Sequence, residues 1–121
     1  MNKLICHCGG VEIKVSLPNG LNKLIKCNCS ICKRRGAVMA MVGPNDLEVV
    51  KGKELLKLYQ FHTKTAKHYF CSMCGVYTHH NPRRDPAAYG FNVGCLENVN
   101  QTDLKDIFFF DGENHPLDKK K

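Results

Sequence analysis

Cys71-Ser72-Met73-Cys74-Gly75 is the stretch from which the fold can be read. In a C-x-x-C turn both sulfurs can converge on one ion, and a glycine directly after the second cysteine can take the positive φ that closes the turn. A thioredoxin-like redox pair would instead place the motif at a helix N-terminus inside a βαβ unit. Here the flanks have strand character, with residues 65–70 alternating into Cys71 and residues 76–80 leaving Gly75 as a further strand. The turn supplies two ligands of the four that a closed zinc site takes, and Cys6-His7-Cys8 supplies two more. Cys6, Cys8, Cys71 and Cys74 are therefore expected to complete one another as a structural Cys₄ zinc site. Such a site joins residues 65 positions apart and compensates for the modest core of a short chain.

A second cluster is local. Cys27-Asn28-Cys29-Ser30-Ile31-Cys32 gathers three thiols within six residues, beside Lys26, Lys33, Arg34 and Arg35. Structural zinc is closed by four protein ligands, whereas catalytic zinc keeps three and an open position. Two readings stand level on residue chemistry: an open site at Cys27, Cys29 and Cys32, or a structural site closed by Cys95 or a histidine. Leu4-Ile5 is the sole apolar feature near the N-terminus and Cys6 follows at once, so neither a signal peptide nor a membrane span fits, and a cytoplasmic protein is expected. In a reducing compartment close-set cysteines are ligands rather than disulfides, and C-x-C pairs lack disulfide geometry.

A chain of 121 residues is read as one domain, 1–121, and a hydrophobic share of 43% with 24% charged residues excludes a disordered chain. The formal charge of +7 counts cysteines as neutral; four thiolates on one Zn²⁺ leave −2 and three on a second leave −1, which brings the total to +4. Part of the remainder is the Lys119-Lys120-Lys121 tail, so the balance argues only weakly for nucleic acid and suits an anionic small substrate.

In chain order, the alternation of Val11, Ile13, Val15 and Leu17 predicts a strand over 11–17, ended by Pro18-Asn19-Gly20. A strand over 21–26 delivers Cys27 and Cys29, and Ser30 caps a short helical turn that runs to Arg35 and stops at Gly36. Residues 37–42 read as a buried strand and 47–50 as another. Residues 55–61 alternate as a strand, with a helix over 54–59 as the competing reading. Two adjacent strand histidines point to opposite faces, so at most one of His79 and His80 lines a site. A strand over 89–96 follows, its Gly90 and Gly94 allowing a backbone or ligand to come close. A short helix over 102–105, a last strand over 107–110 and a segment 111–116 folding back complete the reading.

Taken together, Cys6-His7-Cys8-Gly9-Gly10, Cys27-Asn28-Cys29-Ser30-Ile31-Cys32-Lys33-Arg34, Phe70-Cys71-Ser72-Met73-Cys74-Gly75 and Tyr89-Gly90-Phe91-Asn92-Val93-Gly94-Cys95-Leu96 resemble the glutathione-dependent formaldehyde-activating enzyme family, which includes centromere protein V-like proteins. The resemblance covers about residues 4–97, leaving 98–121 as a C-terminal extension. It implies a mainly β, Mss4-like (β-tent) fold, with β-sheets joined at zinc. It also implies two zinc ions, one structural at Cys6, Cys8, Cys71 and Cys74 and one catalytic at Cys27, Cys29 and Cys32. The founding activity of the family is a carbon-sulfur lyase reaction run in the synthetic direction, joining formaldehyde to glutathione. The segment 78–84 is closer to the bacterial and centromere-protein-like branch, and the extended terminal segments of the formaldehyde-activating enzymes are expected to be lacking.

The expected partners are accordingly a small thiol and an aldehyde, with no membrane. Arg34, Arg35, Arg83 and Arg84 are candidates for binding substrate carboxylates, against the plainer reading of a solvated face. Two other classes remain open: a non-catalytic zinc module that binds protein or nucleic acid, and a redox sensor using Cys95.

Overall fold

The computed structural model describes residues 2–21 and 23–113. The expected features at Asn114, His115 and Pro116 and the lysine tail lie outside the described residues. The strands are β1 (Asn2–Ile5), β2 (Glu12–Val15), β3 (Ile25–Cys27), β4 (Met39–Val42), β5 (Leu47–Lys51), β6 (Leu56–Tyr59), β7 (Lys67–Cys71), β8 (Tyr77–Asn81), β9 (Tyr89–Asn92) and β10 (Phe108–Phe110), with one α-helix, α1 (Ser30–Arg35). Short 3₁₀ turns occupy Lys53–Leu55, Val93–Cys95 and Gln101–Asp103. No helix among the described residues is long and apolar enough to cross a membrane.

Two sheets result. One has the order β1-β2-β5 and the other β10-β3-β4-β9-β8-β7-β6. All pairs are antiparallel except β10 with β3, which run parallel because the chain returns from β9 by a long connection. The sheets pack through Leu4, Val11, Ile13 and Val15 on one side and Phe91, Val93 and Leu96 on the other, most of them wholly buried. Each such side chain stabilises by roughly 1.5–3 kcal/mol on leaving water. A bridge between Leu4 and Leu96, with Glu97 N–H donating to Lys3 O at 3.0 Å, ties the two layers.

The structure departs from the sequence reading where a local hydrogen bond overrules strand periodicity. The expected strand over 89–96 ends at Asn92, whose Oδ1 accepts from Gly94 N–H at 3.0 Å and turns the chain into the 3₁₀ segment. The helix expected over 102–105 is the 3₁₀ turn Gln101–Asp103, where Asn100 Oδ1 takes Thr102 N–H at 3.1 Å. Strand pairing near 21–26 begins only at Ile25. β1, which the periodicity did not single out, forms because it can pair along its whole length with β2. The strand reading of 55–61 holds as β6, after the 3₁₀ turn.

Candidate metal centres

The first centre is built from two hairpin turns brought edge to edge. Cys6 and Cys8 leave β1, while Cys71 closes β7 and Cys74 sits in the turn into β8. Gly75 has φ +75°, and its N–H donates to Cys71 O at 2.7 Å, so the turn closes as expected from the motif. No helix follows the C-x-x-C pair, which removes the thioredoxin-like reading. Cys6 Sγ lies 3.6 Å from Cys8 Sγ, and Cys8 Sγ lies 3.7 Å from Cys71 Sγ. A tetrahedron of sulfurs about 2.3 Å from zinc has edges of about 3.8 Å, so the spacing fits that ion. All four sulfurs fall within 4.8 Å of one another. Backbone N–H groups of Val11 and Gly10 donate to Cys6 Sγ and Cys8 Sγ at 3.2 and 3.4 Å, which supports thiolate charge there. Desolvation opposes ionisation of Cys74, but backbone and thiol hydrogen bonds outweigh it and bring its pKa down to about 6.

The second centre is the junction of β3 and α1. Cys27 ends the strand, Cys29 is the N-cap residue of the helix and Cys32 stands in its first turn, so a change of backbone direction within six residues turns the three sulfurs together. Ser30 was expected to cap this helix; Cys29 occupies the cap position instead and makes no side-chain cap bond. The three sulfurs lie within 4.8 Å of one another, and among the described residues no fourth His, Cys, Asp or Glu joins them. Thiol contacts from Cys27 and Cys32, then the backbone N–H groups of Cys32 and Ile31, pull Cys29 down to about 2 against its desolvation. The contact with Cys29 pushes Cys27 up, and the contacts with Cys27 and Cys29 push Cys32 up. One negative charge thus settles on Cys29 first. A metal ion would displace the remaining protons.

Of the two fourth ligands that the closed reading allowed, Cys95 does not join this centre. Its thiol is buried, donates to Tyr77 O at 3.7 Å and is raised to about 11 by burial and by the negative sulfurs of Cys6 and Cys74, beside the first centre. A buried thiol held protonated also makes a poor redox sensor. Among the described histidines, His68 Nδ1 faces Arg35, His79 Nδ1 faces Thr78 and His80 Nδ1 faces Tyr77.

Arg35 does more than the solvated face that is the ordinary expectation for a surface arginine. Its Nη2 donates to Cys32 Sγ at 3.6 Å, its Nη1 meets His68 Nδ1 at 3.2 Å, and its guanidinium lies 3.8 Å from the centre of the Tyr77 ring. Arginine only donates, so His68 must accept at Nδ1 and is neutral. Its burial, then Arg35, lowers its pKa to about 4, in agreement. Arg35 Nε is buried with no partner among the described residues, an arrangement that costs about 1–3 kcal/mol and marks a side chain held for its position. Arg34 instead bonds Ser30 O at 2.7 Å on the surface, and Arg84 stands over Phe110.

The strand β8 is buried along its length. His79 stacks on Tyr69 and is held to about 4 by burial, and His80 stacks on His68 and is held to about 3 by burial and by Arg35. The two rings do point to opposite faces. Gly90 lies across from His80, where an added Cβ would meet the imidazole at 2.2 Å. The close approach expected at Gly90 is therefore made by a neighbouring side chain, not by a backbone or a ligand.

The segment after β10 was missed as part of the site. Gly112 is buried against the second centre, where an added Cβ would stand 2.4 Å from Cys27 Sγ and 2.9 Å from Cys29 Cβ. Asn28, between those two cysteines, holds the segment by accepting Glu113 N–H at 2.9 Å and donating to Asp111 Oδ1 at 3.1 Å. The breaker-rich run from Asp111 hinted at a fold-back, but only the β10–β3 pairing directs it onto Cys27.

Two clefts open beside this centre. One of about 350 Å³ is bordered by Cys27, Cys32, Lys26, Lys33, Phe109 and Asp111. The other, of about 520 Å³, has Arg35 and His68 in its wall. Both border Ala37.

The fold and the two centres define a mainly β domain of Mss4-like type with two cysteine clusters, each able to hold a metal ion, and the all-sulfur donor sets suit zinc. The sequence matches the family of the glutathione-dependent formaldehyde-activating enzyme over residues 1–111, and the chain belongs to that family. It is also similar to a crystal structure of a Rhodobacter sphaeroides protein, at 53% identity and a TM-score of 0.84, over 88% of this chain and 98% of that one.

Proposed function

We propose that this protein binds a small thiol at Cys27, Cys29 and Cys32 and adds it reversibly to an aldehyde, as a zinc-dependent carbon-sulfur lyase. The observation that carries this reading is a three-sulfur centre with no fourth ligand among the described residues, opening on a cleft that holds Lys26 and Lys33. A zinc ion held by the three sulfurs would keep an added thiol ionised at neutral pH. Lys26 and Lys33, on the cleft wall, would pair with acid groups of the thiol, and glutathione, the thiol in the family's description, carries two carboxylates. Gly112 packs against Cys27 and Cys29 on one side of the centre, and the thiol would enter by the cleft. Arg35 donates to Cys32 Sγ and balances part of the negative charge that three thiolates bring.

Calorimetry in two buffers of different ionisation enthalpy tests the reading, with glutathione, cysteine and other small thiols as probes. Binding that releases a proton, and is abolished in Cys29→Ser while far-UV dichroism is kept, is the expected result. Absence of heat with every thiol, together with a second metal shown to have four protein ligands, would leave a structural zinc module.

A further inference from the structure

We propose that Asp111 pairs with an ammonium group of the thiol, so that the second centre selects amino-acid or peptide thiols carrying an ammonium as well as carboxylates. This rests on reading Cys27, Cys29 and Cys32 as a thiol site. The cleft of about 350 Å³ bordered by Cys27 and Cys32 falls in the range of small-ligand sites. The charged side chains in its wall are Lys26, Lys33 and Asp111. Two cations and one anion mirror a thiol with two carboxylates and one ammonium. All three stand close to the sulfurs along the chain: Lys26 precedes Cys27, Lys33 follows Cys32, and Asp111 precedes Gly112, which packs against Cys27 and Cys29. Neither lysine forms an ion pair among the described residues.

Asp111 is held in place rather than swinging on the surface. Asn28, between Cys27 and Cys29, donates to its Oδ1 at 3.1 Å and accepts Glu113 N–H at 2.9 Å. The residue before it, Phe110, is the last of β10 and lies beside Cys27 in the parallel pairing with β3. A carboxylate accepts several hydrogen bonds at once, so it can hold Asn28 and an ammonium together. Three thiolates on one Zn²⁺ carry a net −1, and an incoming thiolate adds to that charge. A further carboxylate in the wall works against a purely anionic ligand and in favour of one that brings a cation. Lysines by themselves would take any acidic thiol; Asp111 narrows the choice.

The test is calorimetry on the metal-loaded full chain with glutathione and with glutaryl-cysteinylglycine, which keeps the thiol and both carboxylates but has hydrogen in place of the ammonium. The native protein is expected to bind glutathione about fivefold tighter. Asp111→Asn removes the charge but keeps an oxygen to accept from Asn28, so the segment stays in place. It should weaken glutathione alone and erase the preference. Glu113→Gln makes the same change of charge off the cleft wall and should keep the preference. An Asp111→Asn protein that weakens both thiols alike would overturn the inference, because it marks Asp111 as a holder of the segment and nothing more. Heat with both thiols and no preference in the native protein overturns the inference alone; no heat with either overturns the thiol reading as well.

Discussion

The two cysteine clusters use the same atom type for opposite structural ends. Cys8 and Cys71 touch across 63 positions of sequence, and their cluster joins the turn after β1 to the turn after β7. Cys27, Cys29 and Cys32 lie within one strand-to-helix junction, and losing an ion there would unpin no distant strand. The first cluster has four sulfurs and closes; the second has three and borders two clefts through itself or Arg35. Sequence separation of the ligands, more than their number, is what tells which site the fold needs.

The sharpest way to break the comparison is to remove one ligand from each cluster. Cys74→Ser should leave the protein insoluble or molten, because the metal's binding energy is folding energy when its ligands come from distant turns. Cys29→Ser should remain folded. Graded chelation of the native protein, followed by metal analysis and far-UV dichroism, should strip one metal before any helix or strand signal is lost. Simultaneous loss of both metals with unfolding would show that both clusters are structural.

A second expected effect is acid lability of β8. Burial holds His79 at about 4 and His80 at about 3, below the ordinary 6.5. The unfolded chain therefore binds protons first, and the stability these rings contribute is complete above pH 6.5 and drains away as pH falls towards 4 and 3. Each costs on the order of 1.4 kcal/mol per pH unit over that window. Histidine ¹H–¹³C titration should find neither ring protonating between pH 8 and 5 in protein of constant metal content; a midpoint near 6.5 for either would remove the effect.

Much of this arrangement could be read from the chain. The C-x-x-C-Gly turn, the paired half-sites and the helical turn at 30–35 follow from short-range spacing, and the fold class follows from alternating strands between them. What escaped is what long-range packing decides. Residues 76–80 read as a strand, but not as one buried on both faces, as Thr78, His79, His80 and Asn81 are, with His79 stacked on Tyr69 and His80 on His68. Arg35 sits in a basic run at the end of α1, and nothing local separates it from Arg34, although one rests on Tyr77 and the other bonds its own helix. Gly112 against Cys27 depends on the parallel pairing of β10 with β3, between residues more than 80 positions apart, which no local pattern announces.

Smaller changes sharpen the contrast at the second centre. Arg35→Lys keeps the charge but loses the planar fork shared by Cys32, His68 and Tyr77. It should weaken metal binding there about 10–100-fold, as is typical when a partner of a metal ligand is lost, and leave the first cluster unchanged. Competition with a chromophoric chelator measures both sites. Asn28→Ala removes two exposed hydrogen bonds that hold residues 111–113, so global stability should fall by only about 1 kcal/mol while the second metal exchanges faster. Unchanged exchange would mean that the segment does not cover the centre.

The central claim, that one cluster is closed by the protein and the other is completed by an outside thiol, is tested most directly by ¹¹³Cd NMR of the cadmium-loaded protein during a glutathione titration. The account predicts two resonances, one in the four-sulfur range that stays fixed and one that moves towards that range as the thiol binds. Two resonances that both begin in the four-sulfur range and ignore glutathione would contradict it.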